Sequence, residues 1–201
     1  MKTIYIARHG ETDANKDTRF QGHTDNPLNA KGKAQAEELA LRVQKLSLSK
    51  IYASDLQRAV QTATPMSSIR NLPIVTLPAF REICFGKWEG LTFKEIKAQW
   101  PSDIELFFNK PKEARVENGE GFQEVQDRAW AAFEEIVEDQ AEDTSIMLVA
   151  HGGIVRVLLC AALGLDLDKM WEFYVDNASL SCIIKWEGKY LLKFHNYVGK
   201  I

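Results

Sequence analysis

The sequence is poor in several things, and each shortage excludes a class of protein. Three of its 201 residues are cysteine: Cys84, Cys160 and Cys182. An odd, widely spaced set in apolar surroundings makes neither a disulfide framework nor a zinc site. A reducing, cytoplasmic setting is therefore expected. No apolar run approaches the roughly 20 residues that span a bilayer; the most apolar stretch, Val157 to Leu165, falls far short. Met1 and Lys2 lead straight into Ile4-Tyr5-Ile6 and then Arg8, which is not a signal-peptide pattern. Positive charge is not in excess either. Against 25 Lys and Arg stand 28 Asp and Glu, a formal net charge of −3. Neither a nucleic-acid nor a membrane partner is expected from such a balance.

What is present suits a folded domain: 45% hydrophobic and 26% charged residues. The length predicts one domain over residues 1–201. Thr3 to Ala7 reads as a buried strand. Ala36, Leu39, Ala40 and Val43 recur at helical spacing, with Asn29 as a plausible N-cap. Lys50 to Ala53 is a second strand. Ser54 or Asp55 is expected to cap the helix that carries Arg58, and Pro65 to kink it. Ile74 to Leu77 is a third short strand. Residues 84–122 predict one or two short helices in an irregular excursion. Phe122 to Asp139 has one apolar face, as an amphipathic helix requires. Ser145 to Ala150 reads as a strand. Ile154 to Leu163 reads as a buried helix ended by Gly164. Two strands flanking Glu187-Gly188-Lys189 predict a closing hairpin. Strands alternating with helices predict an α/β three-layer sandwich: a mostly parallel central sheet, helices on both faces, and a C-terminal antiparallel hairpin.

Two places share a design. A strand ends in Arg8-His9-Gly10, and another ends in His151-Gly152-Gly153. Ligands bind beyond the carboxyl ends of parallel strands. Both histidines would share that edge, each followed by glycine that lets backbone approach a ligand. Arg58, near a helix start, is placed to share an anion with backbone N–H groups.

Together these residues resemble the histidine phosphatase superfamily (phosphoglycerate mutase-like). The resemblance lies in Arg8-His9-Gly10-Glu11-Thr12 with Asn15 and Arg19-Phe20-Gln21-Gly22, in Ser54 to Ala63, in Arg81-Glu82-Ile83 with Phe85 to Gly90, and in His151-Gly152-Gly153. It spans nearly the whole chain. It implies a phosphomonoesterase with His9 as nucleophile, forming a phosphohistidine. Glu82 would donate and later accept the proton. Arg8, Arg58 and His151 would hold the phosphoryl oxygens. Asn15, Gln21, Gly22 and His23 would contact the substrate. No metal or cofactor is implied.

The absence of an Arg-Arg pair sets the chain apart from the mutases that grip a second anion with one. Ile-Cys-Phe-Gly-Lys-Trp-Glu-Gly after Glu82 looks like the small phosphatases, such as α-ribazole phosphatase and broad-specificity members. A small phosphomonoester is the expected partner, α-ribazole 5'-phosphate among the candidates, in a monomer or homodimer. Phosphoglycerate mutase, or a non-catalytic phosphate- or phosphoprotein-binding module, is the alternative. Residues 84–122 could cover the site as a lid. Any one of Trp88, Trp100, Phe107, Phe108 and Phe122 could line the site or pack the core.

Overall fold

The computed structural model describes residues 1–199. The chain runs β1 (Lys2–Arg8), α1 (Asp13–Lys16), α2 (Ala30–Val43), β2 (Leu48–Ala53), α3 (Gln57–Arg70) and β3 (Ile74–Thr76). Then follow α4 (Phe93–Gln99), α5 (Pro101–Asn109), α6 (Phe122–Glu138), β4 (Ser145–Ala150), α7 (Gly152–Leu163), β5 (Leu180–Trp186) and β6 (Lys189–Tyr197). The sheet order is β3-β2-β4-β1-β5-β6. β3, β2, β4 and β1 run parallel, whereas β5 and β6 add antiparallel strands.

Side-chain alternation along β1 sends its residues to two cores. Ile4 and Ile6 pack with Phe133, Val157 and Leu158 from α6 and α7. Tyr5 and Ala7 pack with Leu39, Val43, Ala59 and Met66 from α2 and α3. The sheet is thus covered on both faces, as the alternating pattern predicts. Among the described residues, no helix is long and apolar enough to cross a membrane.

Most element boundaries follow local chemistry. Asn29 accepts the Gly32 N–H at the start of α2, and Gly164 ends α7 with φ 63°. The α3 boundary differs from expectation. Neither Ser54 nor Asp55 caps that helix: Leu56 occupies the cap and offers no side-chain acceptor. Asp25, from a distant loop, instead accepts the Gln57 N–H at 2.7 Å. Asp55 is drawn away by a two-point pair with Arg81, at 2.8 and 2.5 Å. The helix also continues through Pro65 to Arg70.

The glycine after His9 has a different use from the one expected. A Cβ on Gly10 would lie 2.5 Å from the Gly32 carbonyl oxygen. The loop after β1 is pressed against the first turn of α2, so the constraint is protein packing and not access for a ligand. Backbone resists displacement more than a side chain does. Gly10→Ala is therefore expected to destabilise the fold by about 1–3 kcal/mol. A shift in urea midpoint measures this; an unchanged midpoint would show that the loop yields freely.

Candidate active site

Sheet register builds the site. Arg8 pairs with Ala150 across β1 and β4, and Ala53 pairs with Val149 across β2 and β4. The three strands therefore end level, and their continuations meet. The His9 N–H donates to the Ala150 carbonyl at 2.9 Å, and the Ser54 N–H donates to that of Val149 at 3.0 Å. The His9 and His151 rings are brought to 5.1 Å between centroids. Arg58 enters from the first turn of α3, where the helix dipole does not favour a cation. Hydrogen bonds to His151 and to the Thr24 and Gly22 carbonyls hold it there; Arg58 and His151 are 0% exposed, and His9 is 3% exposed.

Hydrogen bonds fix the two imidazole tautomers. His9 Nδ1 lies 2.6 Å from the Gly10 carbonyl. A carbonyl only accepts, so Nδ1 carries the proton and Nε2 keeps its lone pair. Arg58 Nε–H donates to His151 Nδ1 at 3.2 Å. An arginine only donates, so His151 carries its proton on Nε2. His151 Nε2 is buried and has no partner among the described residues. Arg58 spends two further N–H groups on the carbonyls of Thr24 and Gly22, at 2.9 and 2.7 Å. A guanidinium has five donors, so two remain. Arg8 donates to the Val175 carbonyl at 2.7 Å, while its Nε is buried without a partner among the described residues.

The electrostatics agree with that assignment. Burial, then Arg58, then Arg8, hold the His9 pKa well below its ordinary value. Burial and Arg58 do the same to His151. Both rings stay neutral near pH 7. One is a lone pair awaiting an electrophile, and the other is a donor awaiting an anion.

These groups border a cavity of about 200 Å³ with Arg8, His9, Asn15, Gln21, Arg58 and Glu82 in its wall. Asn15 is oriented by the Thr12 N–H and Asn177 Nδ2, which donate to its Oδ1 at 3.1 and 3.2 Å. Its amide nitrogen is left for other acceptors. Gln21 is held by the Thr12 hydroxyl at 2.9 Å. Gly22 supplies a carbonyl to Arg58 and also borders the cavity. Glu82 is not a partner of Arg81, which Asp55 occupies. Its carboxylate accepts the Gly153 N–H at 3.1 Å. Any side chain on Gly153 would collide with that carboxylate.

His23 takes a different position from the one expected of a substrate contact. It lies outside the cavity wall, with ring Nε2 2.9 Å from the Glu82 carbonyl oxygen. Its main chain is pinned by Glu89, which accepts the His23 N–H at 2.8 Å. His23 thus braces the segment that carries Glu82. Arg128 does so from the other side. It donates to the carbonyls of Ala79, Arg81 and Glu82, and Glu120 fixes its guanidinium. Sequence reasoning missed this clamp, because α6 presents Arg128 as one more charge on a solvated face.

The neutral histidines couple the site to stability. An unfolded histidine titrates near pH 6.5. Below that pH the unfolded chain takes up protons that buried His9 and His151 refuse, so stability falls as pH falls. Above it both states are neutral and the contribution is constant. From pH 6.5 to 5 each refused proton removes up to about 1.4 kcal/mol per pH unit. His9→Asn is expected to flatten the slope by about one proton in urea titrations across that window. An identical slope in the variant would show that His9 is charged or solvated in the fold.

The histidine phosphatase superfamily (branch 1) profile matches residues 4–197. Phosphoserine phosphatase 1 of Hydrogenobacter thermophilus is 33% identical over 91% of this chain and 86% of its own length. The probable phosphoglycerate mutase GpmB of an Enterobacter species is 32% identical over 95% of this chain and 88% of its own. The crystal structure of the alpha-ribazole phosphatase from Shigella flexneri superposes with a TM-score of 0.89 at 30% identity, over 98% of each chain. With the same edge of the same sheet carrying the paired histidines, the chain belongs to the histidine phosphatase superfamily, branch 1.

Proposed function

We propose that this chain is a phosphomonoesterase that works through a phosphohistidine on His9. The observation that carries the reading is the tautomer pair: a buried neutral imidazole with Nε2 free, beside a second imidazole and two arginines with donors unspent. His9 Nε2 attacks phosphorus as the ester P–O bond breaks. Arg8, Arg58 and His151 Nε2–H take the charge on the equatorial oxygens. Glu82, entering protonated, gives its proton to the leaving oxygen. Water then attacks the phosphohistidine, Glu82 removes its proton, and inorganic phosphate leaves with His9 restored. Asn15 and Gln21 add polar contacts at the cavity wall. Residues 84–122 contribute Phe85 to the cavity wall, which supports their use as a lid.

Relatives named for phosphoserine and alpha-ribazole hydrolysis support a small phosphorylated metabolite as substrate. A relative named as a probable phosphoglycerate mutase supports the alternative, transfer to a second hydroxyl. The missing Arg-Arg pair favours water as acceptor.

The test is hydrolysis of p-nitrophenyl phosphate and of an alkyl phosphate without added metal. The chain is expected to hydrolyse both, and His9→Ala neither. In single-turnover release of the alcohol, which reads the first step alone, Glu82→Gln is expected to lose about 10²–10⁴-fold on the alkyl ester and far less on the p-nitrophenyl ester, whose leaving group needs no proton. Inactive wild-type protein would favour a binding module. Equal losses on both esters would remove Glu82 as the acid.

A further inference from the structure

A second cavity, also about 200 Å³, adjoins the first and shares Arg8, Phe20, Glu82 and Phe85 with it. Its wall is aromatic, with Phe20, Phe85, Phe107, Phe108 and Trp171, and it contains one further charge, Arg156. Arg156 interrupts the apolar run of α7, and the sequence pattern alone gave it no use. In the fold it forms no ion pair among the described residues. Its Nε donates to the Phe173 carbonyl at 2.9 Å, and its guanidinium lies 5.1 Å from the Trp171 ring centre. Burial, then Arg8, pull its pKa down to about 10, so it is still charged at neutral pH. A partly buried cation facing another cation is unfavourable unless something offsets it.

Two details say what that is. First, the site chemistry fixes where the leaving group goes. On the phosphohistidine reading, on which this inference rests, Glu82 protonates the leaving oxygen. Glu82 borders both cavities, so the leaving group extends past it into the second. Second, Arg156 and Arg8 converge. Arg156 Nη1 and Arg8 Nε lie 3.0 and 3.5 Å from the point where a Cβ on Gly152 would stand. An ester phosphate on Arg8 and a second anion on Arg156 would then belong to one small molecule. The cavity is smaller than the roughly 300–1,000 Å³ that houses drug-sized ligands. Against its aromatic wall a carboxylate monoanion costs less to desolvate than a second phosphate dianion, and a guanidinium fork matches a carboxylate at two points.

We propose that Arg156 is a specificity residue, selecting small phosphate esters whose leaving group carries a carboxylate close to the ester oxygen. It would do, from α7, what an Arg-Arg pair elsewhere in the chain would otherwise do.

The test compares 3-phosphoglycerate with glycerol 3-phosphate, which replaces the carboxylate with a hydroxymethyl group. Wild-type kcat/KM is expected to favour the carboxylate about 10- to 100-fold. Arg156→Met is expected to erase that preference, mostly through KM, and to leave glycerol 3-phosphate within about threefold. Arg156→Lys is expected to retain part of it. Equal losses on both esters would make Arg156 structural, and no wild-type preference would overturn the proposal even if Arg156→Met fails to fold. If neither ester turns over, hydrolysis of p-nitrophenyl phosphate decides the phosphatase reading separately. Dissociation constants of the His9→Ala chain for the same pair, by calorimetry, still decide the Arg156 proposal: equal affinity overturns it, and tighter binding of the carboxylate supports it.

Discussion

The buried guanidinium of Arg58 is the interaction on which the site depends. It carries its charge at 0% exposure and, among the described residues, touches no carboxylate at ion-pair distance. Its partners are dipoles: two loop carbonyls and one imidazole nitrogen. Glu82, Asp25 and Glu89 act on that charge only from beyond ion-pair distance, so a positive field remains at the cavity. Burial first, and then that field, keep His9 and His151 neutral, and the bond to His151 decides which nitrogen of that ring is a donor. The same guanidinium ties the loop of Gly22 and Thr24 to α3. Electrostatics and loop geometry are therefore one device. An anion entering the cavity meets donors already oriented and already stripped of water, which is the condition under which electrostatic stabilisation is largest.

Much of this was legible in the sequence. Strand ends at Ala7 and Ala150, read from short apolar runs, located both histidines, and parallel pairing made them neighbours. The alternation of strands and helices gave the layers. What stayed hidden depends on contacts far apart in the chain. Asp25 caps α3 from a loop, and so frees Asp55 for Arg81, which in turn frees Glu82. No local propensity encodes that sequence of partners. Gly10 was read as room for a ligand, but it is room for α2. His23 was read as a substrate contact; the bond of its ring to the Glu82 main chain is a role that the sequence did not show.

Arg156 shows the opposite case. A single cation in the apolar run Ile154 to Leu163 is a visible anomaly, because burying it unpaired is unfavourable. The fold shows that it shares a wall with Trp171 and Phe107 and a neighbour in Arg8. Likewise, Phe107 and Phe122 are both core and cavity wall, so the choice between packing and recognition was not a real alternative.

The central claim is that neutral rings of opposite tautomer face one cavity. Nitrogen-15 NMR of the free protein near pH 7 tests it most directly. The account predicts His9 protonated on Nδ1 alone and His151 protonated on Nε2 alone. A doubly protonated His9, or a proton on His9 Nε2, would leave no lone pair aimed at phosphorus and would contradict it.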